Sequence, residues 1–130
     1  MDGPARLKAF LVAEARRRGF SDCRVAAPAA IPEAPARLAA ALADGHHGTM
    51  AWLAETAGRR ADPRVLWPDV RSIAVLAFDY GPDEDPRAAL AEPSAGTISV
   101  YARNRDYHDV VKGRLKELAG KLASRARALA

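Results

Sequence analysis

The stretch Gly96-Thr-Ile-Ser-Val-Tyr-Ala-Arg-Asn-Arg-Asp-Tyr-His108 decides how this chain is read. Its first half predicts a strand, because Ile98, Val100 and Ala102 alternate with Ser99, Tyr101 and Arg103 at the period of a pleated ribbon. Its second half predicts a helix start. Asp106 is a favoured N-cap, and Val110, Val111, Leu115, Leu118 and Leu122 follow at helical spacing. Arg103, Arg105, Asp106, Tyr107 and His108 therefore crowd a strand-to-helix junction. Such a junction can aim side chains and unpaired helix N–H groups at a ligand, or can be a surface loop with ordinary caps.

Working outward, Val70 to Tyr80 predicts a second strand. Ile73-Ala-Val-Leu-Ala-Phe78 is an unbroken apolar run between Pro68 and Gly81-Pro82, the pattern of a strand covered on both faces. Gly81 to Ala95 is a polar excursion with Asp83, Glu84 and Asp85, long enough for a mobile loop or lid, with a helical turn expected at 87–90. Towards the N-terminus, Ala5 to Arg18 predicts an amphipathic helix with Leu7, Phe10 and Leu11 on one face, stopped at Gly19. Phe20 to Ala26 predicts a third, short strand, and Pro32 or Pro35 opens a helix that ends before Gly45. Thr49 is placed to cap a short helix holding Met50, Trp52 and Leu53. Gly58 to Arg64, with three arginines and the turn pair Asp62-Pro63, reads either as an anion-facing loop or as a solvated connection.

Composition bounds the function. The 130 residues suit one domain or a piece of a larger one, and 49% are apolar. Aromatics are few, so Trp52, Trp67, Phe10, Phe20, Phe78 and the tyrosines are expected to carry much of the packing. No apolar run approaches a membrane span and no signal-peptide core precedes the first helix, so a cytoplasmic protein is expected. The single cysteine, Cys23, cannot alone hold zinc or an iron–sulfur cluster, and no carboxylate cluster stands near His46-His47, so no metal site is expected. The net charge of +4 is uneven: Arg103 to Ala130 holds eight Lys/Arg against three Asp/Glu. That basic helix is either a solvated face or a polyanion contact. Its pattern reaches Ala130 with no terminating Gly or Pro, so the chain is expected to be the N-terminal part of something longer.

Three stretches, in this order, carry a resemblance. They are Gly48-Thr-Met-Ala-Trp-Leu53, then Arg60-Ala-Asp-Pro-Arg-Val-Leu-Trp-Pro68 with Arg71-Ser-Ile-Ala-Val-Leu76, and finally Gly96 through Val110. Together they resemble the N-terminal region of the epoxyqueuosine reductase family, over roughly residues 45–120. The resemblance implies an α+β fold, a small mixed sheet with flanking helices, with residues 1–130 as an incomplete part of a cobalamin-binding domain. A ferredoxin-like domain with two [4Fe-4S] clusters would follow, in a protein that is monomeric in this family. The implied reaction is two-electron reduction of the epoxide of epoxyqueuosine at the wobble position of the tRNA anticodon loop, the last step of queuosine biosynthesis.

Residue by residue, Arg60 matches a position that contacts the corrinoid, and Ser99 matches another at which some relatives carry cysteine. Tyr101, Arg103, Asp106, Tyr107 and His108 fall in a segment resembling the family's ligand-lining junction, on the cofactor or tRNA side. Asn104 stands where relatives often have glycine, and asparagine tolerates the left-handed backbone. The family's proton-donating aspartate and its cluster cysteines would lie beyond Ala130, so this chain alone is expected to be inactive. Two other readings stay open: a non-catalytic nucleic-acid-binding module using the basic helix, and part of another corrinoid-dependent reductase.

Overall fold

The computed structural model describes residues 3–85 and 87–129. Six helices and two strands follow one another: α1 (Gly3–Arg17), β1 (Asp22–Ala26), α2 (Ala34–Ala43), α3 (Ala51–Glu55), α4 (Ala57–Ala61), α5 (Pro63–Leu66), β2 (Ile73–Ala77) and α6 (Tyr107–Arg127). Short 3-10 turns occupy Ala88–Ala91 and Val100–Ala102. The class is α+β, with a two-stranded antiparallel sheet. The chain divides into two compact units, residues 1–24 with 76–130, and residues 25–75, so that the boundary passes through both strands.

The first unit is built on α1 packed against α6. Leu11, Ala15 and Leu118 are buried, as are Phe20 and Cys23. Leu118 is only 3% exposed, which makes it the anchor of α6. Glu14 is buried among them and ion-paired with Arg17 (2.7 Å) and Arg18, while Arg18 also reaches Glu117 of α6 at 3.8 Å. A buried carboxylate is tolerable only with such partners. The helix α1 stops because Gly19 adopts φ +80°, and the amides of Gly19 and Phe20 donate to the carbonyls of Arg16 and Ala15. That doubly bonded C-cap turns the chain so that Phe20 enters the core. There its ring meets Phe78 edge-on, with centroids 6.0 Å apart.

The second unit has no fully buried residue among those described. Its helix α2 begins at Ala34 with Pro35, the second of the two prolines offered as its opener, in the first turn, and closes at Gly45, whose φ is +72°. The amides of Gly45 and His46 donate to Leu42 and Ala41, repeating the cap of α1. α4 packs against both α2 and α5. Asp62 caps α5 by accepting from the Arg64 amide, so the Asp-Pro pair forms a helix entry as well as a turn.

Several expectations are corrected. The strand predicted around Ile98, Val100 and Ala102 does not form: 96–99 is irregular and Val100–Ala102 is a 3-10 turn. Alternation is a strand signal only where a neighbouring strand takes up the backbone groups, and the sheet consists of β1 and β2. The run in β2 is not covered on both faces, since Val75 is 56% exposed. Thr49 is not the cap of α3; Met50 holds that position without a side-chain bond. Gly58 to Arg64 is largely helical, with only Asp62 extended. Trp67, expected to pack, is 64% exposed. Leu115 is 39% exposed, because the face of α6 turned to the first unit's interior carries Arg114 beside Leu118. The turn expected at 87–90 lies one residue later, at Ala88–Ala91, and Pro86 and Ala130 lie outside the described residues. Among the described residues no helix is long and apolar enough to cross a membrane.

Candidate functional site

The junction residues of the first unit are organised by local bonds. Ser99 stands at the N-cap of the Val100–Ala102 turn, and its carbonyl accepts from the Ala102 amide at 2.9 Å. The Arg103 Nε donates to the Ile98 carbonyl at 2.8 Å and so closes the loop around Ser99. Asp106 caps α6: its Oδ1 accepts from the His108 amide, and the His108 Nδ1 lies 2.8 Å from the same oxygen. These bonds from the His108 amide and ring hold the Asp106 carboxyl below the usual carboxylate range. Asp106 is thus an ionised cap at neutral pH, not a poised acid.

Tyr107 is the hub of an aromatic group. Its ring lies nearly parallel to Tyr80 (6.1 Å between centroids, 13°), edge-on to Tyr101 (6.4 Å, 84°) and stacked on His108 (4.1 Å, 27°). Phe78, Val100 and Asn104 join these tyrosines around a recess of about 130 Å³. Tyr80 and Tyr101 are more than half exposed, and Arg105 lines the same recess. Asn104 does not need left-handed angles, since no non-glycine residue among those described has positive φ.

In the second unit Arg60 is held in a different way. Trp52, Thr56 and Arg60 recur every four residues, and amide bonds run from Thr56 to the Trp52 carbonyl and from Arg60 to the Thr56 carbonyl. This places the three on one helical face across the α3–α4 junction. The Arg60 guanidinium carbon sits 4.6 Å from the Trp52 ring centroid, and its Nε donates to the Thr56 hydroxyl at 2.7 Å. Arg60 also lines a mostly apolar recess of about 210 Å³ with Ile31, Pro63, Ile73 and Val75. Arg64, by contrast, is tied to Asp62 at 2.8 Å and 2.9 Å, which holds the Asp62 carboxyl down and satisfies the arginine.

The junction residues Ser99, Tyr101, Arg103, Asp106, Tyr107 and His108 therefore share the first unit, and Arg60 belongs to the second. Sequence reasoning missed Tyr80, which no local pattern connects to Tyr107. It also missed Trp52 and Thr56 as partners of Arg60, although their spacing of four was there to be read. His46 and His47 sit in the turn after α2, and among the described residues no group of three His, Cys, Asp or Glu gathers to hold a metal.

A family profile described as "Epoxyqueuosine reductase QueG, DUF1730" matches residues 60–129. The chain belongs to the epoxyqueuosine reductase family. It is 37% identical over 116 residues to the epoxyqueuosine reductase of Alicycliphilus denitrificans, covering 84% of this chain and 32% of that protein. It is 32% identical over 123 residues to that of Xanthomonas campestris pv. campestris, covering 93% and 33%. A third, from Cellulophaga algicola, is 36% identical over 111 residues, covering 84% and 34%. The chain thus spans about a third of the length of the curated epoxyqueuosine reductases it matches. No solved structure matched it.

Proposed function

We propose that this chain forms an N-terminal wall of the corrinoid pocket of an epoxyqueuosine reductase, a cytoplasmic, monomeric oxidoreductase acting on tRNA. The observation that carries this reading is the family match itself, which runs from Arg60 through the whole Ser99–His108 junction. Two features of the residues fit cobalamin, a flat macrocycle fringed with carboxamides and carrying a phosphate in its tail. Arg60 presents an immobilised guanidinium whose outer N–H groups suit a carbonyl or phosphate. Tyr80 and Tyr101, each more than half exposed, present apolar ring surface around Tyr107, with Arg105 and Asn104 lining the same recess.

When bound, the corrinoid would supply the two-electron reduction of the epoxide, with two [4Fe-4S] clusters as the electron source. The cluster ligands would come from outside this chain, whose single cysteine is the buried Cys23. This chain's own residues bind and orient. Arg60 would pair with a carboxamide or the phosphate of the group, and Ser99, in the loop closed by Arg103, would line it together with Tyr80 and Tyr101. Asp106, ionised and engaged by His108, is unsuited to donate the proton, so the acid is supplied from elsewhere in the full enzyme. The exposed cations Arg105, Lys112 and Lys116 suit the phosphates of the tRNA anticodon arm.

The test is titration with hydroxocobalamin, followed in the visible corrin spectrum, of this chain and of a protein extended through the reading frame that follows it. Weak binding by the 130 residues and tight binding by the extended protein are expected, with epoxyqueuosine reduced in tRNA only by the latter. A frame lacking an aspartate motif and a Cys-x-x-Cys-x-x-Cys run, or an extended protein that takes up no corrinoid, overturns the reading. An extended protein that binds the corrinoid but ignores epoxyqueuosine in tRNA points instead to another corrinoid-dependent reductase.

A further inference from the structure

Arg60 combines fixed position with unspent charge. Among the described residues no carboxylate pairs with it, whereas Arg37 pairs with Glu33 and Arg64 with Asp62. Although exposed, its guanidinium is tied through Nε to Thr56 and laid over Trp52, and the N–H groups on its two Nη atoms have no partner among the described residues. An exposed arginine normally keeps its rotamer freedom, and ordering it opposes folding unless the order serves something else.

The geometry points to Thr56 and Trp52 as positioning residues that hold the Arg60 guanidinium in place for the corrinoid. Thr56 can do this because its hydroxyl has one proton and that proton is committed. Its Oγ1 donates to the Trp52 carbonyl at 2.6 Å, so the oxygen turns its lone pairs toward the Arg60 Nε at 2.7 Å. The indole face then fixes the plane of the guanidinium and leaves the Nη edge outward, the edge that forks onto a carbonyl or phosphate. Pre-ordering lowers the entropy lost on binding, which is how a residue that need not touch the ligand raises its affinity. This inference rests on the proposed corrinoid role of Arg60.

Two measurements test it. In the 130-residue chain, the Arg60 Nε proton is expected as a resolved, slowly exchanging NMR signal that disappears in Thr56→Val and persists in Thr56→Ser. In the extended reductase, Thr56→Val is expected to weaken hydroxocobalamin binding roughly tenfold, the scale of one lost ordering contact. Thr56→Ser should restore it, and Arg60→Ala combined with Thr56→Val should bind no worse than Arg60→Ala alone. Binding that is weakened by Arg60→Ala but untouched by Thr56→Val overturns the positioning role. Binding indifferent to Arg60→Ala shows instead that the corrinoid role of Arg60 was wrong, and the inference falls with it. Near-ultraviolet circular dichroism of each variant separates either result from a loss of fold.

Discussion

The guanidinium of Arg114 lies over the ring of Phe78, 4.7 Å from its centroid, and one of its nitrogens stands 2.7 Å from where a side chain on Gly19 would begin. One cation therefore covers the end of β2 and the cap of α1 at once. Gly19→Ala has two costs here, a left-handed backbone worth about 1–2 kcal/mol and displacement of Arg114 from Phe78. A fall of several degrees in the melting temperature is expected by circular dichroism. Arg114→Ala should lower it less and should make Gly19→Ala milder, since the two share the contact.

Leu118 is the buried residue of α6 and faces α1, where Leu11 and Ala15 are buried. With so few buried side chains, its loss cannot be absorbed by neighbours. Leu118→Ala is expected to destabilise by about 2–5 kcal/mol, enough to broaden or abolish the cooperative urea transition. Leu115→Ala, on the exposed side of the same helix, should barely shift the midpoint.

Glu14 links pH to stability. Its carboxyl is held below the ordinary value of 4.5, first by the hydrogen bond from Arg18 and then by that from Arg17. A depressed carboxylate pKa contributes stability above the unfolded value and loses it as pH falls through the folded one. Glu14→Gln should therefore melt below the wild type at pH 7, and the gap should close as the pH falls below about 4.5.

Asp106 separates cap from charge. Asp106→Ala removes the acceptor for the His108 amide and should lower the melting temperature by roughly 2–5 °C, with loss of helical signal at the start of α6. Asp106→Asn keeps an acceptor oxygen and should recover most of it.

Cys23 tests the seal of the core. Burial, and then the nearby Asp22 charge, push its thiol above the ordinary range. Labelling by iodoacetamide at pH 8 is expected to be roughly tenfold or more slower than in urea, because the thiolate is the reactive form. Equal rates in both would show that β1 opens freely.

The division between what the chain says locally and what its folding adds is clear at particular residues. Gly19 and Gly45 as helix stops and Asp106 as the cap of α6 were legible in the sequence, because each acts within one turn of backbone, whereas the choice between Pro32 and Pro35 for the start of α2 was not. So was the family, carried by three ordered stretches of which the second and third lie within the profile match over residues 60–129. The strand through Ile98, Val100 and Ala102 was misread, because alternation does not say whether a pairing partner exists. Leu115, counted in the apolar set, is exposed for a related reason, while Arg114 lies over Phe78. Helical period marks a face only to within a residue, and Phe78, far away in sequence, decides which side chain covers it.

The junction from Gly96 to His108 shows the same split. Its composition, its N-cap and its likeness to the family belong to the sequence alone. That Tyr80 comes from the segment after β2 to stack on Tyr107, so that the polar cluster acquires an aromatic floor, was decided only by the tertiary structure. Hydrogen bonds between neighbours are set by short-range geometry, whereas ring contacts between distant segments exist only once the backbone has brought them within a few ångströms.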